Sequence, residues 1–114
     1  DEITLGGSTR VWEMKDGTLR EYQISPEDFG FDRTHTSELK AISVQDSTRI
    51  LRNILGGSPG PARDVVIVNA AAALLAVDRA TSLEEGTVLA TESIDSGRAL
   101  SKLNALVTLS QQLE

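Results

Sequence analysis

The chain has 114 residues, with 11 Lys+Arg against 17 Asp+Glu, a formal charge of -6, no Cys and one His. That length holds one small domain or part of a larger one, and 39% apolar with 25% charged residues is ordinary for a globular protein. The acidic balance argues against a nucleic-acid or anionic-membrane partner, the lack of Cys excludes disulfides and thiolate chemistry, and a single His excludes a His-rich zinc site.

No segment reads as a signal peptide or a membrane span. The longest apolar stretch, Val65 to Val77, is broken by Asn69 and is too short to cross a bilayer. Without cysteine or a signal, the expected compartment is the cytoplasm. The chain opens on Asp1 rather than Met, which reads as a piece of a longer polypeptide.

The first elements are two strands, Thr9 to Met14 and Thr18 to Ile24, rich in β-branched and aromatic residues. Asp16-Gly17 between them is a type I′ turn pair, because both central residues must reach positive φ. That turn sets the register. Val11 faces Tyr22, Glu13 faces Arg20, and Met14 faces Leu19, with Glu13–Arg20 an opposite-charge cross-strand pair. Apolar residues fall on both faces, so the hairpin is expected to belong to a larger sheet covered on both sides.

Ser25-Pro26-Glu27-Asp28 combines a cap, a first-turn proline and acids, and Gly30 limits it to about one turn. Phe29 and Phe31 are expected to anchor it. Residues 32–42 read as an irregular polar loop. Ser43, with Asp46 three residues on, caps a helix whose apolar face is Ile50, Leu51, Ile54 and Leu55, ending at Gly56-Gly57. Pro61 opens a further helix to about Arg79. The Ala and Leu residues after Val68 favour helix over strand there. It is apolar all round and should be buried on most sides, which so short a chain does not easily achieve. Ser82-Leu83-Glu84-Glu85 caps a helix to about Asp95. Ser96 is expected to cap the last one, with Leu100, Leu103, Leu106, Val107 and Leu113 at near-helical spacing.

Few side chains offer chemistry. Asp1-Glu2 is an adjacent carboxylate pair, able to hold a hard cation that fills its other positions with water and phosphate. Taken alone, such a pair at a chain end is usually just solvated. Asn69, the polar residue inside the apolar helix, needs hydrogen-bond partners; a structural bond to nearby backbone is the expected use, and a substrate contact the alternative. His35 reads as a surface histidine. Arg63-Asp64 reads as a structural ion pair, and Glu92 and Asp95 as solvated or paired with Arg98. Gly6-Gly7 lacks the spacing of a dinucleotide loop.

Taken in order, the segments resemble the C-terminal portion of the anthranilate phosphoribosyltransferase family. They are Asp1-Glu2; Thr9-Arg10-Val11 with Glu13 before Asp16-Gly17; Ile24-Ser25-Pro26-Glu27-Asp28-Phe29-Gly30; Ile54-Leu55-Gly56-Gly57; Gly60-Pro61-Ala62-Arg63-Asp64; Val68-Asn69-Ala70-Ala71-Ala72-Ala73-Leu74; Leu83-Glu84-Glu85-Gly86; and Ile94-Asp95-Ser96-Gly97 with Ala99. The resemblance implies an α/β fold. Residues 1–114 would be the C-terminal part of a mostly parallel sheet domain flanked by helices, contributing a β-hairpin and about four helices. It implies transfer of a phosphoribosyl group from phosphoribosyl pyrophosphate to the amine of anthranilate, in tryptophan biosynthesis. It implies Mg2+ as cofactor, held at the family's Asp-Glu pair, here Asp1 and Glu2. It also implies a homodimer formed through a helical region lying mostly before Asp1. The Gly-rich diphosphate loop and the substrate-binding stretch are expected before Asp1 as well. No catalytic or substrate-binding residue is therefore assigned in this stretch, and the isolated chain is expected to be inactive. Where the family often has Gly-Gly-Asp ahead of a helix, this chain has Ala41-Ile42-Ser43, and Ser43 can replace Asp as cap. A related nucleoside phosphorylase, a transferase with another acceptor, and a non-enzymatic interaction module are the alternative readings.

Overall fold

The local signals in the first quarter of the chain produce a single antiparallel hairpin. In the computed structural model, which describes residues 2–113, β1 (Thr9–Lys15) pairs with β2 (Thr18–Ile24). Asp16 has φ 51 and Gly17 φ 73, the double positive-φ turn that Asp-Gly permits. The register joins Val11 to Tyr22, Glu13 to Arg20 and Met14 to Leu19, as the turn requires. Arg20 Nη2 donates to Glu13 Oε2 at 2.6 Å. One face packs inward through Val11 and Tyr22. The other carries Trp12, Met14 and Leu19, all exposed. Among the described residues the sheet has two strands, so the covering expected on that face is not supplied by this chain.

A 3-10 turn, Pro26–Phe29, follows. Ser25 N–H donates to Asp28 Oδ2 at 2.7 Å, and Gly30 closes the turn in the left-handed region at φ 80. Phe29 is buried and Phe31 half-buried, so both anchors hold. The polar stretch after them is mostly irregular but includes a second 3-10 turn, Thr36–Leu39, that composition alone did not reveal.

Four α-helices complete the described residues: α1 (Val44–Leu55), α2 (Pro61–Ala76), α3 (Leu83–Asp95) and α4 (Arg98–Gln112). α1 and α3 start alike. Asp46 N–H donates to Ser43 Oγ, and Glu85 N–H to Ser82 Oγ. In each, the acid's carboxylate reaches back one residue beyond the cap, to Ile42 N–H and to Thr81 N–H. α2 ends three residues earlier than its composition indicates, because Asp78 turns left-handed at φ 55 and the Arg79 and Ala80 N–H groups fold back onto Leu74 O. Lys15 Nζ meets Asp78 Oδ1 at 3.0 Å and ties the hairpin tip to that end.

Two expectations need correction. Ser96 does not cap α4; it closes α3 in helical conformation, and Gly97 at φ 77 is the α4 cap. Only two residues join the helices, and at the second of them glycine supplies the positive φ without a Cβ clash. The apolar spacing on α1 and α4 also overstates burial. Leu51 is exposed on α1, and on α4 Leu106, Val107 and Leu113 are exposed while Leu100 and Leu103 are half-buried.

The core explains the all-round apolar character of α2. Its Val68 and Ala71 pack with Ile3, Leu5, Ile24 and Phe29 on the hairpin side. Its Ile67 packs with Ile54, Ala90 and Ile94 on the side of the other helices. α2 is thus the wall between two apolar clusters, and Val68 is 0% exposed. α3 approaches so closely that a Cβ at Gly86 would lie 2.7 Å from Ala71 O.

Candidate functional site

Residues 2–8 have no regular secondary structure, yet Ile3 and Leu5 among them are buried. Ile3 is 9% exposed and Leu5 1%. Their backbone groups find partners outside any ladder, as buried amides must. Asn69, in the middle of α2, accepts from Ile3 N–H through Oδ1 at 3.1 Å. Its Nδ2 donates to Ile3 O at 3.0 Å and to Val65 O at 2.9 Å. The amide is used in both directions, so the structural reading of Asn69 holds, and its partner is the segment that follows the acidic pair. Thr4 N–H donates to Thr9 Oγ1, and Leu5 O accepts from Thr34 N–H.

Of the two carboxylates singled out from sequence, Asp1 lies outside the described residues. Glu2 is exposed and is among the residues lining an open cleft of about 640 Å³. The cleft runs between the inner face of the hairpin and α2. Val11, Tyr22, Ala72, Leu75 and Asp78 contribute to its walls. Among the described residues no three His, Cys, Asp or Glu side chains gather into a metal cage.

The remaining candidates sort into surface and scaffold. His35 is exposed beside a smaller cleft of about 240 Å³ shared with Gly6, Arg33, Thr34 and Thr36. Arg33 Nε is engaged by Glu27 Oε1 at 2.8 Å. Arg63 does not pair with Asp64, its neighbour in sequence. Adjacent residues on a helix point about 100° apart and do not face each other. Instead Arg63 makes a bidentate pair with Asp95 at 2.7 and 3.0 Å, and also donates to Gly57 O. This pair fastens the start of α2 to the end of α3. The Arg63 hydrogen bonds hold the Asp95 carboxyl below the usual carboxylate range. Burial pushes Asp64 the other way, partly offset by the Arg63 charge. Arg98 pairs with Glu92 at 3.2 Å, so that part of the sequence reading stands.

Sequence reasoning missed the Arg63–Asp95 link and the Gly86–Ala71 contact. Each joins positions far apart in the chain, and neither leaves a local periodic signal. Asn69 did leave one, being polar at the centre of an apolar run.

Known proteins resemble this chain along nearly its whole length. The model of the glycosyl transferase family, a/b domain, matches residues 1–100. Anthranilate phosphoribosyltransferase of Acidovorax sp. (strain JS42) is 48% identical over 113 residues, and that of Nitrosomonas eutropha 43%, each alignment covering 99% of this chain and 33% of the relative. Among solved structures, the anthranilate phosphoribosyltransferase of Thermus thermophilus superposes with a TM-score of 0.85 at 34% identity, covering 95% of this chain and 32% of that one. The Saccharomyces cerevisiae enzyme in complex with PRPP and Mg superposes with a TM-score of 0.81 at 28% identity, covering 91% of this chain and 30% of that one. The chain spans about a third of the length of the curated relatives it matches. With the hairpin and four helices seen here arranged as in those structures, the chain belongs to the glycosyl transferase family, a/b domain.

Proposed function

We propose that this chain forms part of an anthranilate phosphoribosyltransferase, working with the remaining two thirds of the length found in its relatives. The observation that carries this reading is 43–48% identity to proteins of that name over 99% of the chain. In the reaction, the amine nitrogen of anthranilate forms a bond to the anomeric carbon of the ribose as the bond from that carbon to the diphosphate oxygen breaks. The bonding pair leaves with pyrophosphate, and the amine gives up a proton. Negative charge builds on the departing diphosphate, so the site must offset charge there.

The carboxylates of Asp1 and Glu2 are proposed to hold Mg2+ at that point. The donor set suits that ion, which takes one or two carboxylates and keeps its other positions for water and phosphate. Bound Mg2+ supplies charge neutralisation at the diphosphate oxygens. The chain's own contribution is to present Glu2 to the cleft, from a backbone pinned at Ile3 and Leu5. The cytoplasmic location and a homodimer formed outside this chain belong to the same proposal.

The test is formation of phosphoribosylanthranilate from phosphoribosyl pyrophosphate and anthranilate by the full-length protein, followed as loss of anthranilate fluorescence. Turnover that requires Mg2+ supports the reading. Turnover with a different acceptor, or phosphorolysis of a nucleoside instead, overturns the anthranilate assignment. The isolated 114-residue chain is expected to show no turnover.

A further inference from the structure

The Ile3 N–H belongs to the peptide unit that carries the Glu2 carbonyl. Asn69 Oδ1 accepts from that N–H, and Asn69 Nδ2 donates to the carbonyl of the next peptide unit. Both peptide planes flanking Ile3 are therefore gripped by one side chain. The amide itself cannot swivel, because Nδ2 also donates to Val65 O, one turn earlier on the same helix. The Ile3 side chain closes the arrangement by packing into the cluster around Val68 and Ala71. α2 is the most enclosed helix of the molecule, with Ile67, Val68 and Ala71 buried on opposite sides. A segment without strand or helix is thus referenced directly to a helix buried on two sides.

We infer that Asn69 is a positioning residue for Glu2, setting the direction in which Glu2 offers its carboxylate to the metal. This rests on the metal-binding reading of Asp1 and Glu2 given above. A two-carboxylate site has few ligands with which to correct a misplaced one, so its affinity depends on how the ligand backbone is held. Groups that orient metal ligands typically govern affinity by roughly 10–100-fold. The influence of Asn69 passes through the Glu2–Ile3 peptide.

The experiment is titration of the full-length protein with Mn2+, reading free metal by electron paramagnetic resonance. Asn69→Leu keeps the volume and removes both hydrogen-bonding functions. Asn69→Ser, smaller and readily accommodated, cannot reach Ile3. Both are expected to weaken Mn2+ binding by roughly 10–100-fold. Ile67→Ala opens a cavity in the same helix without touching Ile3, so it should lower thermal stability and leave Mn2+ affinity within about twofold. Loss of affinity in Ile67→Ala comparable to that in the Asn69 variants would mean a merely structural role and overturn the inference. The double variant Asp1→Ala/Glu2→Ala separates the two readings. If it leaves Mn2+ binding intact, the metal site itself is wrong. If it abolishes binding while Asn69→Leu and Asn69→Ser do not weaken it, the positioning role alone fails.

Discussion

The segment Ile3–Leu5 and the helix α4 are opposites. The first has no regular secondary structure, yet Leu5 is 1% exposed and its backbone is bonded across the molecule. The second is a regular helix of 15 residues in which no side chain is fully buried, and Leu113 just past its end is 79% exposed. Regularity and anchorage are separate properties. A helix satisfies its own backbone and can project beyond its neighbours. An irregular segment must borrow partners for every buried N–H and C=O, so where one is found buried it is held by many independent contacts.

Core truncation should break the contrast most sharply. Leu5→Ala is expected to lower stability by about 2–5 kcal/mol in urea denaturation, as for other fully buried leucines. An effect under about 1 kcal/mol would mean that the segment is not the anchored element described here. Next comes the contact between helices. Gly86→Val drives a side chain into the Ala71 backbone, and overpacking of this kind costs about 1–3 kcal/mol. A neutral result would show that α2 and α3 can slide apart freely.

Acid titration probes the Arg63–Asp95 link between α2 and α3. The Asp95 carboxyl sits below its ordinary value because Arg63 donates two hydrogen bonds to it. A folded-state value below the unfolded one contributes stability above the unfolded value near about 3.9. That contribution is lost as pH falls through the folded-state value. Asp95→Asn should therefore be less stable than the parent at neutral pH, with the gap narrowing below about pH 4. A gap that stays constant on acidification would rule out the ionised carboxylate as its source. Asp64 should behave in the opposite sense, since burial raises it and its ionised form is the less favourable one. The smallest effect belongs to the free end of α4. Leu113→Ala is expected to change stability by no more than about 0.5 kcal/mol, as at other exposed positions.

What was legible in the sequence was local chemistry. Asp16-Gly17 dictated a hairpin register that the structure reproduces pair by pair. Ser43 and Ser82 capped the helices they were expected to cap. Asn69 stood out because a polar amide in an apolar run must have a reason. The errors arose where distant parts decide. Ser96 is as good a cap as Ser82 on paper, but the two-residue α3–α4 connection keeps Ser96 helical and hands the role to Gly97 at positive φ. Arg63 had Asp64 beside it, and helix geometry turned it towards Asp95 instead. Ile3 and Leu5 belong to no repeating pattern, so their burial left no trace that periodicity could detect. The acidic pair was noticed as chemistry, while Asn69 was expected to bond nearby backbone and turned out to grip that of Ile3, 66 positions away.

Trp12 has a practical use. It is the single tryptophan of the chain and sits on the outward face of β1 at 59% exposure, with the Arg10 guanidinium 5.6 Å from its ring centre. The tryptophan emission of this chain, excited selectively past the tyrosine band, therefore originates at one spot on the open side of the hairpin. Any surface that settles over that spot removes water from the indole and shifts its spectrum towards the blue, so docking on this side can be followed without a dye or an engineered label.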